Sequence, residues 1–448
     1  ANLSVLPPYN TLVAQVIRRG DAESLPEIVT QGFTLEYSVP GNTYSAGKTD
    51  FWDYDFDLFG VDLPIDVGLT GKGLTGEFDV AGNLFKAEGI PITPFTDAAP
   101  TVEDPYQQAL VILRDSQGAE VTRAVPVIPV STEMNCVGSG CHASETAILN
   151  QHPGPGEGGF DPNDTPILCA DCHGSPPLTG PDPGLHGYFS KRMHEKHAFV
   201  DEQIPGIAGC YKCHPGPITQ CLRDVMATDH DMVCQDCHGD LEEVAGSIDG
   251  GRTPWLEEPA CRTCHTATFG EPVGTLYRNA TGHGGVLCSG CHNSPHAIFP
   301  TREPRDNQVM VDLQGHAGTL EACQVCHGIV PAGPGPHGIF STAVETAGDV
   351  EQEVLGAAAR LVAYPSALRP GIACTIETPA TNASRARILV FDASGRTVRL
   401  IPVATRGGPA AATWDGRDSR GVEVASGAYF LRWDDGARRA ATKVVVVR

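Results

Sequence analysis

The chain has 448 residues, and its 54 acidic against 31 basic side chains leave a net charge of −23, a balance that repels phosphate backbones and excludes nucleic-acid binding. No apolar run approaches the ~20 residues that a membrane-spanning helix requires, so no transmembrane segment is expected. The sequence begins at Ala1 without an initiator Met. That fits an exported protein, extracellular or at the cell surface, whose signal peptide has been removed.

Histidine placement organises the rest. All sixteen histidines fall between His142 and His337, and every cysteine except Cys374 lies between Cys136 and Cys326. The chain therefore reads as multidomain: a β-rich N-terminal domain over 1–131, a Cys/His segment over 132–340, a linker over 341–360 and a β-rich tail over 361–448. In the first domain, Asp53-Tyr54-Asp55-Phe56-Asp57-Leu58 alternates acids with apolar residues and predicts a strand with one wet face. The acid row has a calcium reading, but alternate acids on a strand are ordinarily a solvated face. Gly71 to Gly76 breaks the pattern. Ala109–Leu113 and Val125–Val130 are strand-like, with a turn at Asp115-Ser116-Gln117-Gly118.

The middle segment has little hydrophobic periodicity and many Gly-Pro interruptions, so short helices, little other regular structure and an interior supplied by something other than side chains are expected. Six C-x-x-C-H motifs run through it: Cys169/Cys172/His173, Cys210/Cys213/His214, Cys234/Cys237/His238, Cys261/Cys264/His265, Cys288/Cys291/His292 and Cys323/Cys326/His327. A seventh pair, Cys136/Cys141 before His142, has the longer C-x4-C-H spacing. C-x-x-C-H is the attachment sequence of c-type haem, in which two thiols form thioethers with the porphyrin and the adjacent His lies under the iron. Zinc knuckles and disulfide frameworks also use C-x-x-C, but neither needs a His after every second Cys. With 16 His in 448 positions, seven of seven by chance is negligible. Seven covalently bound haems are therefore expected, as the core of this segment.

Seven proximal His leave nine: His152, His186, His194, His197, His230, His283, His296, His316 and His337. Nine candidates serve seven distal positions, so every iron can be bis-His and two histidines are surplus. One of His194 and His197, three apart, and His152, in a Gly/Pro loop, are the suspects. His283, His296, His316 and His337 lie close to motifs and are the firmest distal candidates. Doubly capped iron favours electron transfer over catalysis, at lower potential than His/Met ligation gives. About 200 residues make a body of radius of gyration ~16–17 Å, in which seven macrocycles must abut. The two remaining cysteines, Cys221 and Cys374, suggest one disulfide in an oxidising compartment.

The tail opens its β pattern with Arg387–Asp392, a Ser394-Gly395 turn and an answering Thr397–Leu400. With Trp414-Asp415-Gly416-Arg417-Asp418 and Ser426-Gly427-Ala428-Tyr429-Phe430, it resembles the immunoglobulin-like β-sandwich of flagellar hook-capping proteins and is similar to type IX secretion sorting domains. Tyr364-Pro365-Ser366-Ala367 stands where such domains often have Pro-Asn-Pro. That resemblance implies a retained structural or adhesive module. The middle segment resembles extracellular multihaem cytochromes, including filament-forming ones, through Gly282-His283-Gly284-Gly285, His292-Asn293-Ser294-Pro295-His296, Gly315-His316-Ala317-Gly318 and Cys213-His214-Pro215-Gly216-Pro217. It implies an electron conduit with no catalytic residues, a homopolymer in which a distal His can come from the next subunit, and redox proteins or extracellular acceptors as partners. A monomeric surface cytochrome is the alternative. A multihaem reductase is a third reading, although every Cys pair here is followed by His and no C-x-x-C-K motif exists.

Overall fold

The computed structural model describes residues 3–132, 134–215, 218–266, 268–331, 333–338 and 340–341, and, toward the C-terminus, 361–364, 367–368, 373–378, 386–392, 397–403, 410–434 and 439–446. It divides into two compact units, Ala1–Ala347 and Gly348–Arg448. The N-terminal β structure and the Cys/His segment thus share one unit. The expected linker lies, for 342–360, outside the described residues, as does the Ser394-Gly395 turn.

The first unit begins with two antiparallel sheets. One orders Glu120–Ala124, Leu110–Asp115, Phe33–Ser38 and Thr75–Glu77; the other orders Asn10–Ala14, Leu84–Ile90 and Asp79–Ala81. Alternation sends Leu35 and Tyr37, Val111 and Leu113, and Phe85 and Ala87 inward, where they form one cluster with Leu12, Phe78, Ile90 and Ile128. The Asp115–Gly118 turn joins two of these strands, with Gly118 at φ 81° donating its N–H to Asp115. Val125–Val130 forms no strand. Its Val127 makes an isolated bridge to Gln108, and Ile128 donates to Gln107.

The alternating segment is a helix, Phe51–Phe59, not a strand. Phe51, Asp55 and Leu58 turn inward together, at helical spacing. Asp55 is buried because its carboxylate accepts the N–H groups of Phe56 and Leu63, and Gly60 closes the helix in the left-handed region at φ 68°. Since Asp53, Asp55 and Asp57 do not share a face, the strand-based acid row dissolves.

Across 132–340 regular structure is sparse, as expected: the longest helices are Phe189–His197 and Leu241–Asp249, nine residues each. Among the described residues the buried apolar clusters lie in the N-terminal sheets, in the C-terminal unit and in a small group of Leu58, Leu168 and Ala170. The N-terminal portion is sewn to the Cys/His segment. Leu3 pairs with Ile167 in a parallel bridge, Gln15 bonds the backbone of Gly285 and Leu287, and the Gly20 N–H donates to Cys326 at 2.9 Å. Arg305 grips Asp104 with both oxygens at 2.9 Å. Arg223 donates to both oxygens of Asp306, at 2.6 and 2.9 Å, beneath the Tyr106 ring.

In the C-terminal unit, a three-stranded sheet orders Val362–Tyr364, Cys374–Thr378 and Ala410–Trp414. A five-stranded one orders Ala367–Leu368, Arg439–Val446, Gly427–Asp434, Arg387–Asp392 and Thr397–Pro402. Both sheets contribute to one core around Trp414, Trp433, Ile376, Ile388, Leu431 and Val444. Cys374 belongs to that core, fully buried, and its thiol is free. The Cys221–Cys374 disulfide suggested by the sequence would have to join the two units. Cys374 is packed as a small apolar residue opposite Trp414 in the register of its own sheet.

The Arg223–Asp306 pair has side chains only 5% and 2% exposed. Removing one partner strands the other charge in the interior, so Asp306→Ala is expected to cost about 3–5 kcal/mol. Denaturant titration of the full chain measures it.

Candidate haem sites

Each motif folds as one tight turn. The His N–H donates to the carbonyl of the first Cys at 3.0 Å for His173, 2.8 Å for His214 and His265, and 2.9 Å for His327. In Cys234–His238 and Cys288–His292 the motif is itself a helical turn. The longer motif reaches the same end state: Val137–Gly140 loops out, Gly140 sits at φ 80°, and the His142 N–H still donates to Cys136 at 3.1 Å. Two extra residues therefore leave the relation of first Cys to His unchanged.

The motif histidines meet non-motif histidines in pairs. Ring centroids lie 6.2 Å apart for His142 and His197, 5.8 Å for His173 and His186, and 5.8 Å for His214 and His194. The distances are 6.0 Å for His238 and His296, 5.9 Å for His327 and His283, and 5.8 Å for His292 and His337. Two metal–nitrogen bonds of about 2 Å, plus roughly 1 Å from each nitrogen to its ring centre, require centroids about 6 Å apart. Six pairs meet that requirement. Among the described residues no group of three or more His, Cys, Asp and Glu side chains is gathered as a metal site. The donor set is thus two imidazoles per site with two thiols alongside, which suits a porphyrin that brings its own four equatorial nitrogens.

Several rings are held for ligation. Nδ1 lies 2.7 Å from the Ser190 carbonyl in His194, 2.8 Å from Met193 in His197, 2.9 Å from Thr268 in His337 and 3.3 Å from Gly187 in His173. A carbonyl only accepts, so each Nδ1 carries the proton and the Nε2 lone pair is left for a metal. Desolvation favours the neutral form of several rings. It pulls His214 down to about 4, with His194 and His238 nearby adding to the effect, and it lowers His173, His194, His238, His292, His296 and His327 as well. Buried polar atoms with no protein partner, Ser139 Oγ, Asp224 Oδ2 and Gln235 Oε1, lie in or beside these motifs, as expected where another group completes the surroundings.

The motif cysteines are linked from one to the next by shared neighbours. Burial, with Cys136 as a negative neighbour, raises the thiols of Cys169 (to about 12) and Cys213 (to about 11). Cys210 and Cys234 share a hydrogen bond, and Cys237 neighbours Cys264. Cys261 and Cys288 both neighbour Glu271 and Tyr277, and Cys291 neighbours Cys326. The spatial order of motif cysteines is thus 169/172, 136/141, 210/213, 234/237, 261/264, 288/291 and 323/326.

The non-motif histidines sort differently from the sequence expectation. Both His194 and His197 take partners, because the helix Phe189–His197 presents them three apart toward two different motifs. His152 lies against Phe160 at 4.9 Å, and His230 and His316 are exposed. Of the motif histidines, His265 is exposed and makes no ring contact with another histidine, all sixteen of which are described. The spacing of motifs shows nothing of this distribution.

Comparison with known proteins speaks to the tail. Residues 369–433 match the FlgD Ig-like domain. No curated protein matches the chain. Among solved structures, similarity extends to PorZ, a surface component of the type-IX secretion system of Porphyromonas gingivalis (22% identity, 20% of this chain and 11% of that one, TM-score 0.16). It extends also to dimeric latent PorU of the same organism (24%, 19% and 9%, 0.17) and to CopC of Methylosinus trichosporium OB3b (15%, 20% and 84%, 0.13). The chain spans about a tenth of the length of the first two.

Because the fold favours neutral imidazoles, the unfolded chain binds more protons once pH drops below about 6.5. Stability is therefore expected to fall from about pH 6.5 downward, through the His214 value of about 4. Denaturant midpoints measured between pH 7 and 4 check this; a flat profile contradicts it.

Proposed function

We propose that the chain is an extracellular or surface-held electron conduit carrying seven covalently bound c-type haems. The observation that carries the reading is the set of six imidazole pairs at 5.8–6.2 Å, each joining a motif histidine to a histidine from elsewhere. Cys136 and Cys141, Cys169 and Cys172, Cys210 and Cys213, Cys234 and Cys237, Cys261 and Cys264, Cys288 and Cys291, and Cys323 and Cys326 would tether the groups. When bound, haem supplies one-electron chemistry at its iron.

The chain's own residues then decide what that chemistry serves. Paired histidines would take both open positions of such an iron, which would keep substrate off and favour outer-sphere electron transfer. Nδ1 anchors to backbone carbonyls fix ring orientation, which limits the rearrangement accompanying a change of charge. Desolvation favours the neutral form of His173, His194, His214, His238, His292, His296 and His327. The series of motif cysteines from Cys169 to Cys326, in which Cys261 and Cys288 are linked through Glu271 and Tyr277, supports electron passage through the segment. The resemblance to filament cytochromes supports a polymer that hands electrons to redox proteins, to extracellular acceptors or to the next copy. The match of the tail to the FlgD Ig-like domain supports an immunoglobulin-like sandwich that serves attachment rather than redox work.

Intact mass tests the cofactor: the secreted protein is expected to exceed its polypeptide by seven haems, and Cys234→Ala with Cys237→Ala to lose one of them. Low-spin ferric signals should dominate the electron paramagnetic resonance spectrum. A bare polypeptide mass, or a spectrum dominated by high-spin iron, overturns the reading. Electron microscopy of the secreted material separates filament from single particle.

A further inference from the structure

The Cys/His segment buries a carboxylate that the fold uses only by half. Asp224 is fully buried. Its Oδ1 accepts the Ala227 N–H at 3.1 Å and so caps the helix Val225–His230. Its Oδ2 is buried as well and has no hydrogen-bond partner among the described residues, an unfavourable state for a carboxylate oxygen.

Backbone pairing fixes what lies beside it. The Arg223 N–H donates to the His296 carbonyl at 2.9 Å and the Val225 N–H to the Ile298 carbonyl at 3.3 Å. Asp224 thus sits between two rungs that join its segment to that of His296. His296 holds φ 71°, a left-handed conformation uncommon outside glycine, and its ring centroid lies 6.0 Å from that of His238. Burial lowers the His296 imidazole, and the Asp224 charge opposes that effect. The same charge is felt at Cys237, in the motif of His238. The neighbouring cations are engaged elsewhere. Arg223 bonds both oxygens of Asp306, and Arg252, which neighbours His238, bonds Ser247 at 2.9 Å.

His173, His194, His197 and His337 place Nδ1 against backbone carbonyls, which fix the tautomer without adding charge. A carboxylate in that role fixes the tautomer too, and it also makes the ring a stronger donor through Nε2. Stronger donation favours the oxidised metal. We propose that Asp224 is the positioning residue of the site formed by Cys234, Cys237, His238 and His296: its second oxygen accepts the His296 Nδ1–H once iron is bound, and its charge lowers the reduction potential there. The inference rests on the haem reading above.

The test is a potentiometric titration of the full-length holoprotein, followed by haem absorbance. Asp224→Asn keeps an oxygen that can cap the helix and accept from Nδ1, but removes the charge. It is expected to raise one of seven midpoint potentials, changing that reduction equilibrium about tenfold, or about 59 mV for one electron, and to leave six in place. Removing the same haem through Cys234→Ala with Cys237→Ala should delete the component that moves. Asp224→Glu, which retains the charge, should move it less. Glu321→Gln, at an exposed acid beside the last motif, should move none. Seven unmoved potentials in Asp224→Asn overturn the proposal, even if the denaturant midpoint falls, since that is the pattern of a helix cap alone. A lowered potential overturns it, as does a rise in a component that survives loss of Cys234 and Cys237. If Asp224→Asn does not accumulate, reduced-minus-oxidised infrared spectra of wild-type protein carrying labelled aspartate decide instead. A carboxylate band is expected to shift at the potential of the Cys234/Cys237 component, and its absence overturns the proposal. Haem content of wild-type samples separates the two readings. Fewer than seven haems defeats the conduit assignment, whereas seven haems with potentials indifferent to Asp224→Asn defeats this inference alone.

Discussion

Two neutral imidazoles facing each other across about 6 Å, with lone pairs pointing into the gap, are a costly arrangement for a protein alone. The rings are too far apart to bond to each other. Each of the six pairs repeats this unfavourable geometry, and burial depresses seven of the rings toward the neutral state. A metal between them, as proposed above, would turn the same geometry into the main attraction of the site. Much of the Cys/His segment follows from that constraint: its short helices, its lack of a large aliphatic cluster and its reliance on backbone carbonyls to aim rings.

How much was readable in advance depends on sequence distance. The attachment turns were legible because the relation of first Cys to His is fixed within a few residues. Even the C-x4-C-H variant obeys it, since Val137–Gly140 bulges out. The histidines paired with motif histidines were not legible, because they depend on tertiary placement: His296 meets His238 with its carbonyl held by the backbone N–H of Arg223, whose side chain is anchored on Asp306. The Phe51–Phe59 helix was misread for a related reason. Its acids alternate with apolar residues, yet Phe51, Asp55 and Leu58 also share a helical face, and the buried Asp55 carboxylate serves loop N–H groups that no periodicity reveals. Of the strands read from sequence, Ala109–Leu113, Arg387–Asp392 and Thr397–Leu400 match strands, whereas Phe33–Ser38, Leu84–Ile90 and Cys374–Thr378 were not read, although burial alternates along them too.

The N-terminal sheets are more than a neighbour to the Cys/His segment. They supply the ordinary hydrophobic core that the first unit otherwise lacks, and their loops reach the backbone of Gly285, Leu287, Gln324 and Cys326. The Tyr106 ring covers Arg223, so the same scaffold bears on the strut behind His296. Separate domains, as composition suggests, would leave those motifs without support.

The helix Phe189–His197 carries rings for two motifs that lie on either side of it in sequence, His142 before and His214 after. On the haem reading proposed above, one nine-residue rod would set the separation between two redox centres. Electron tunnelling falls off steeply with distance, so a spacer held by its own backbone hydrogen bonds, and pinned by Lys191 to Asp249 on the adjoining helix, would keep that step uniform. The constancy of such a step would then come from helix geometry rather than from tight packing.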